Sequence, residues 1–194
     1  MLTVSTELDA INTMLSNIGE SPVNTIEDSG VVDAVLARQI LKSTSIAIQT
    51  KGWHFNTELD YSLTPSFPEK EILLPPNLLR IDSVGGSKNI DVVQRGLRLY
   101  DRRRHTFQFE RPFTADLVVL LPFDEMPEAA RGYITIRAAR TFQERLVGAE
   151  EHSSFNAKDE MRALLTLKNS DLKNADYNIL TGNQSTAMSI DRRI

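Results

Sequence analysis

The chain has 194 residues, 41% of them hydrophobic and 25% charged, which excludes a wholly disordered protein. It contains no cysteine, so a disulfide scaffold, a thiolate nucleophile, a Cys-ligated zinc and an iron–sulfur cluster are all excluded. With 22 basic and 26 acidic residues the net charge is −4, opposite in sign to the excess a dedicated nucleic-acid binder carries.

The first residues show no basic region followed by an apolar stretch, so no signal peptide is expected. No apolar run approaches the length of a membrane helix, and the expectation is a soluble protein made inside the cell. Thr6 with Asp9 three residues later has the form of a capping box, and Leu8, Ile11, Leu15 and Ile18 share one helical face. Gly19 and Ser21-Pro22 should stop this first helix. Asp28 or Ser29 is the expected cap of a second, longer helix that ends at Gly52. Its predicted apolar stripe is Val32, Val35, Leu36, Ile40 and Ala47, and its predicted solvent face is Arg38, Gln39, Lys42, Ser45 and Gln49.

From Trp53 to Leu121 the prolines at 65, 68, 75, 76, 112 and 122 forbid a long helix. Strands are predicted at Leu78–Val84, Ile90–Gln94, Leu97–Asp101, Thr106–Phe109 and Ala115–Leu121, joined as hairpins through Gly85-Gly86-Ser87 and Arg95-Gly96. Trp53 and Phe55, just after the Gly52 stop, are expected to pack the helices against this β-domain. Helical period then returns. Pro127 suits a first turn, with Asp124, Glu125 and Glu128 near its positive end, and Ala130, Ile134, Ala138, Phe142 and Leu146 recur every four residues up to Gly148. Ser153 or Ser154 should cap a fourth helix carrying Phe155, Met161, Leu164, Leu165, Lys168 and Leu172.

The predicted fold class is α+β: a four-helix bundle with an antiparallel β-domain inserted between the second and third helices, plus an extended C-terminal tail. The bundle takes residues 1–54 and 123–175, the inserted domain 55–122, and the tail 176–194. The tail mixes small polar residues with scattered apolar ones, and is expected to stay loose until a partner holds it.

Catalytic signatures are sparse. The three histidines, His54, His105 and His152, have no neighbour at metal-ligand spacing, and Gly85-Gly86-Ser87-Lys88 lacks the spacing of a phosphate loop. Asp124, Glu125 and Glu128 offer the paired carboxylates a glycosidase needs, with Trp53 and Tyr61 as sugar platforms; the alternative is that they only serve a helix amino terminus. Arg102-Arg103-Arg104-His105, with Arg95 and Arg98 close by, is the densest basic cluster, expected on a hairpin. It can contact phosphates, form a subunit-interface network, or lie free in solvent.

Several strings in series resemble a known family. Leu15-Ser16-Asn17-Ile18-Gly19-Glu20-Ser21-Pro22-Val23, Lys51-Gly52-Trp53-His54-Phe55-Asn56 and Leu99-Tyr100-Asp101-Arg102 are followed by Asp124-Glu125-Met126-Pro127-Glu128, Arg137-Ala138-Ala139-Arg140-Thr141-Phe142 and Gly148-Ala149-Glu150. Together, from about residue 8 to 180, they resemble the tail tubular protein A family of head–tail adaptors from short-tailed phages of the autographivirus type. The resemblance implies a structural protein rather than an enzyme, needing no cofactor or metal, assembled in the host cytoplasm and resident in the virion tail. It implies a homo-oligomeric, dodecameric ring between the portal protein and the tail nozzle (tail tubular protein B), with DNA passing through without sequence-specific binding and no membrane partner. It also implies that the tail embraces the portal, which makes Tyr177, Ile179, Leu180, Met188, Ile190, Arg192 and Arg193 portal-binding candidates. Arg98, Arg102, Arg103 and Arg104 are the candidates for a subunit or nozzle interface.

Overall fold

A computed structural model describes residues 4–25, 31–146 and 153–174. The fold is α+β: among the described residues there are four α-helices, and the antiparallel strands all lie between the second and third of them in chain order. Helix α1 (Glu7–Ser16) begins with the predicted reciprocal box: the Thr6 hydroxyl accepts from the Asp9 N–H, and the Asp9 carboxylate accepts from the Thr6 N–H. Gly19, at φ +84°, makes the left-handed stop.

Helix α2 (Val32–Gln49) is rotated from expectation. Its N-cap is Val31, which has no side-chain cap, while Asp28 and Ser29 lie outside the described residues. The buried face is Ala34, Ala37, Ile40, Leu41, Thr44, Ser45, Ile48 and Gln49. Val32 (79% exposed) and Val35 (61%) face solvent, as does Ala47. Close packing explains the difference: half of the face that meets α1 and helix α3 (Glu128–Leu146) is small residues, Ala34, Ala37, Thr44 and Ser45, which carry little apolar bulk to mark them as buried. Helix α3 touches each of the other helices, and Ala130, Ile134, Ala138 and Phe142 are buried as predicted, although Leu146 is exposed. The expected stop at Gly148 lies outside the described residues.

Helix α4 (Ser153–Asn174) inserts Leu167 into the helical core, with Ala163 and Leu164 half-buried beside it. Of the apolar residues this helix carries, Met161, Leu165 and Leu172 are exposed. Ion pairs join the apolar contact: the Glu160 carboxylate takes Arg137 at 3.0 Å and Arg140 at 2.9 Å, both from α3.

The strands form two sheets. Strands β1 (Thr57–Leu63), β2 (Leu78–Ser83) and β5 (Phe113–Val119) make a three-stranded sheet in the order β1-β5-β2, while β3 (Val92–Arg95) and β4 (Arg98–Asp101) form a separate hairpin. Gly96, at φ +62°, turns that hairpin as predicted. Residues Gly85–Ser87 form a 3₁₀ turn instead of joining paired strands, and Thr106–Phe109 contributes only isolated bridges. The predicted chain of hairpins is thus replaced by a sheet whose centre is its last strand. β1 was not anticipated. It is a bulged edge with Asp60 at φ +52°, and its acidic, solvent-facing residues hide the strand signal.

Two hydrophobic clusters result. One holds the helices together with Trp53 and Met126; the other lies under the sheet around Ile72, Leu99, Phe113 and Leu117. Between them runs a buried polar seam. Gln49, predicted on the solvent face with Ser45, has 0% exposure. Its Nε2 donates to Leu121 O (3.1 Å) and Ser45 Oγ (2.9 Å), and its Oε1 accepts from Leu121 N–H (2.8 Å). Asn56 Nδ2 donates to Gln49 O (3.0 Å) and Val119 O (2.9 Å). The chain leaving α2 and the chain leaving β5 are therefore tied side by side, each side chain satisfying backbone groups that helix and strand ends leave open.

Candidate functional site

Strand β4 ends at Asp101, which is buried, and Asp101 and Thr106 exchange backbone hydrogen bonds across a four-residue tip, Arg102 to His105. The Asp101 carboxylate oxygen Oδ1 accepts from the N–H groups of Arg103 (2.8 Å) and Arg104 (2.9 Å). The tip is thus pinned from beneath, and His105 takes φ +54° to close it. The turn lies where the sequence predicts a hairpin tip, but its second arm, Thr106–Phe109, makes only isolated bridges in place of a strand.

Its arginines divide by environment. Arg95 lies 3.6 Å over the Tyr100 ring, and Arg98 lies 4.2 Å over Phe107 while its Nη1 donates to Glu71 at 2.8 Å. Arg102 approaches Asp91 at 3.6 Å. Arg103 and Arg104 are exposed and have no side-chain partner among the described residues. Of the four interface candidates, Arg98 is bound to the chain's own surface through Glu71 and Phe107, and the free positive charge sits at the tip.

The acidic cluster is placed otherwise than a pair of catalytic carboxylates. Asp124 Oδ1 accepts from the Glu7 N–H at 3.2 Å, in the first turn of α1. Glu128 accepts from the Ser5 hydroxyl (2.6 Å) and the Ser5 N–H (3.1 Å), and Arg131 Nη1 donates to Ser5 O at 2.7 Å. The Ser5 hydroxyl holds the Glu128 carboxyl below the usual glutamate range, with the Ser5 N–H and Arg131 adding to it and burial opposing. Asp124 and Glu128 secure the amino-terminal segment to the turn before α3 and to its first residue, and the exposed Glu125 side chain takes no part in these bonds. The helix they favour includes α1 as well as the one expected. Trp53 cannot serve as a sugar platform: it is buried in the helical cluster, with its Nε1 donating to Ile48 O at 2.9 Å. Phe55 packs against the same cluster. Tyr61 is exposed on β1, away from any partner aromatic among the described residues.

His54 donates its backbone N–H to Asp171 on α4, and among the described residues no group of side chains could hold a metal ion. Among them, too, no helix is long and apolar enough to cross a membrane. Ser87, in the glycine turn, accepts from the Thr114 N–H at 3.0 Å, a role that ties the turn to β5. His152 and the portal-binding candidates Tyr177, Ile179, Leu180, Met188, Ile190, Arg192 and Arg193 lie outside the described residues. Gln49, Asn56 and Asp101, which hold the junction and the tip, were missed because a polar residue in sequence carries no mark of burial. The one available signal for Asp101 is its position before three arginines in a turn, where an Asx cap is favoured.

Residues 8–177 match the family described as tail tubular protein. The chain is also 28% identical, over 163 residues, to tail tubular protein A of Klebsiella phage KP34, covering 84% of this chain and 85% of that protein.

Proposed function

The chain belongs to the tail tubular protein family, a structural component of phage tails, and from that premise we propose that it is the adaptor ring joining portal to tail nozzle. The observation that carries the reading is the extent of the match, residues 8–177, which reaches every helix and strand among the described residues. In this reading the helices form one bundle from residues 1–54 and 123–175, residues 55–122 are an inserted domain, and 176–194 are a portal clasp. Copies associate laterally into a dodecameric ring, assembled in the host cytoplasm, with DNA passing through the centre. The net charge of −4 suits passage, since a basic lining would hold phosphates.

The tail residues Tyr177, Ile179, Leu180, Met188 and Ile190 supply apolar anchors on the portal, and Arg192 and Arg193 pair with its carboxylates. Many tails per ring convert modest single contacts into a durable joint. The arginine tip, now reduced to Arg103 and Arg104 with Arg102 beside them, faces an acidic neighbour, either a second copy or the nozzle.

Native mass measurement and electron microscopy, on the purified protein with and without portal rings, test the reading. Twelve copies seated on the portal are expected, and removal of residues 176–194 should leave the fold intact while abolishing docking. A wild-type chain that stays monomeric and ignores the portal would overturn the adaptor role. Docking by the truncated chain at the wild-type concentration would move the clasp to the bundle.

A further inference from the structure

The loop after β1 is a clamped knob. The Ser66 N–H donates to Glu71 O (2.8 Å), the Lys70 N–H donates to Ser66 O (2.9 Å), and the Glu71 N–H donates to Ser66 Oγ (3.3 Å). Lys70 Nζ bonds Glu110, and the Phe109 N–H donates to Lys70 O at 2.8 Å, so the base is held on both sides. On this fixed turn Phe67 is 93% exposed, next to Pro68 and the acidic Glu69. A rigid, protruding aromatic costs little entropy to bind and is the residue type that dominates interface energy.

Elsewhere on the chain lies a groove of about 730 Å³ between α2 and the link from β5 to α3. Its walls are Val35, Leu41, Ile46, Leu120, Pro122 and Phe123. Glu7, Arg38, Gln39, Lys42 and Ser45 line it as well, and Arg38 is paired with Glu7 at 3.3 Å, which leaves Lys42 as the uncompensated charge. Lys42 and Glu69 have no side-chain partner among the described residues. The groove therefore presents apolar walls and a spare cation, and the knob presents an aromatic and a spare anion.

The knob cannot fill the groove of its own chain. β1 starts at the junction, where Thr57 pairs with Val118, and runs its seven residues away from it to Leu63, which pairs with Phe113. At about 3.3 Å per residue this sets knob and groove roughly 20 Å apart along the sheet. We infer that Phe67 of one copy seats in the α2 groove of the next, with Glu69 beside Lys42, as a lateral contact between subunits. A knob and a socket at separate places on one chain make a head-to-tail interface, which generates a closed ring or a filament. The inference rests on the ring reading above and assigns it a contact.

The test follows assembly of the full chain, alone and on portal rings, by sedimentation and native mass. Phe67→Ala should raise the half-assembly concentration at least about 30-fold, with a thermal midpoint equal to wild type at concentrations below assembly, because the side chain is exposed in the single subunit. Val35→Trp, which fills the groove from an exposed position, should do the same. Mixed one to one, the variants should stop at heterodimers, since one supplies the only knob and the other the only socket. Normal assembly of Phe67→Ala refutes the knob and leaves the ring reading standing. Normal assembly of Val35→Trp hands the groove to another occupant, the chain's own tail among them. Two deficient variants that give no heterodimer place the Phe67 contact elsewhere, and a wild-type chain that never self-associates removes ring and contact together.

Discussion

Replacing Gln49 by alanine removes the bond between the two chain crossings at the junction. Three hydrogen bonds are lost, and the N–H and C=O of Leu121, half-buried under the α2 end, are left without protein partners. An unsatisfied buried group costs about 1–3 kcal/mol, and water reaching the half-buried Leu121 offsets part of it. The vacated volume adds its own penalty, so the total is roughly 3 kcal/mol. For a chain of this size that lowers the midpoint by about 6–12 °C. Urea denaturation, with the exposed Gln39→Ala on the same helix as control, measures the difference. Gln49→Glu sharpens it. A carboxylate would set an acceptor against Leu121 O, whereas the protonated acid can donate there. Its folded pKa is then raised, so the stability it contributes is present at low pH and lost as pH rises through that value. A loss under about 0.5 kcal/mol for Gln49→Ala, or a pH-independent Gln49→Glu, would refute the seam as a source of stability.

Trp53→Ala, which deletes a buried indole and its bond to Ile48 O, should cost about 3–5 kcal/mol in the same assay. Gly52→Ala places a Cβ 3.0 Å from Arg80 Nη2 and 3.1 Å from Val118 Cγ2 at φ +76°; a loss of at least about 1–2 kcal/mol is expected from the left-handed backbone alone, and a neutral variant would contradict it. Because Ser5 and Arg131 depress the Glu128 pKa, its stabilising effect is present above the ordinary glutamate range and is lost as pH falls through the folded value. Glu128→Gln should therefore flatten the acid limb of the stability profile, and an unchanged limb would show that the Ser5 clamp contributes nothing.

The legible parts of the chain were those with a local physical signature. The Thr6–Asp9 box, the Gly19 stop and the Gly96 turn depend on residues within a few positions of each other, and all appear where expected. The arginine tip was legible for the same reason. The inward face of α2 was not, because Ala34, Ala37 and Thr44 are buried by the closeness of neighbouring helices, a property of the partner surface. Nor was the α4 face, where Glu160 docks the helix through two arginines of α3 and lets Met161 and Leu165 stay outside. The order β1-β5-β2 is a long-range choice, and strand propensity carries no information about which strand returns to the middle.

That order has a consequence for how the chain comes into being. The strand at the centre of the sheet is the last one synthesised, and the helix that touches every other helix follows it. Until residue 119 has left the ribosome, β1 and β2 lack their shared partner, and until 146 has left it α1 and α2 lack theirs. Available early are the β3–β4 hairpin, the β2–β3 and α1–α2 contacts, and the bonds of Leu74 N–H to Leu97 O and Leu99 N–H to Ile72 O, all between segments near in sequence. Folding should then be abrupt and late: a fragment ending at residue 112 should show no protected amides in β1 or β2, whereas one ending at 146 should protect both. The unpaired edges that wait in between are the exposure a chaperone would have to cover.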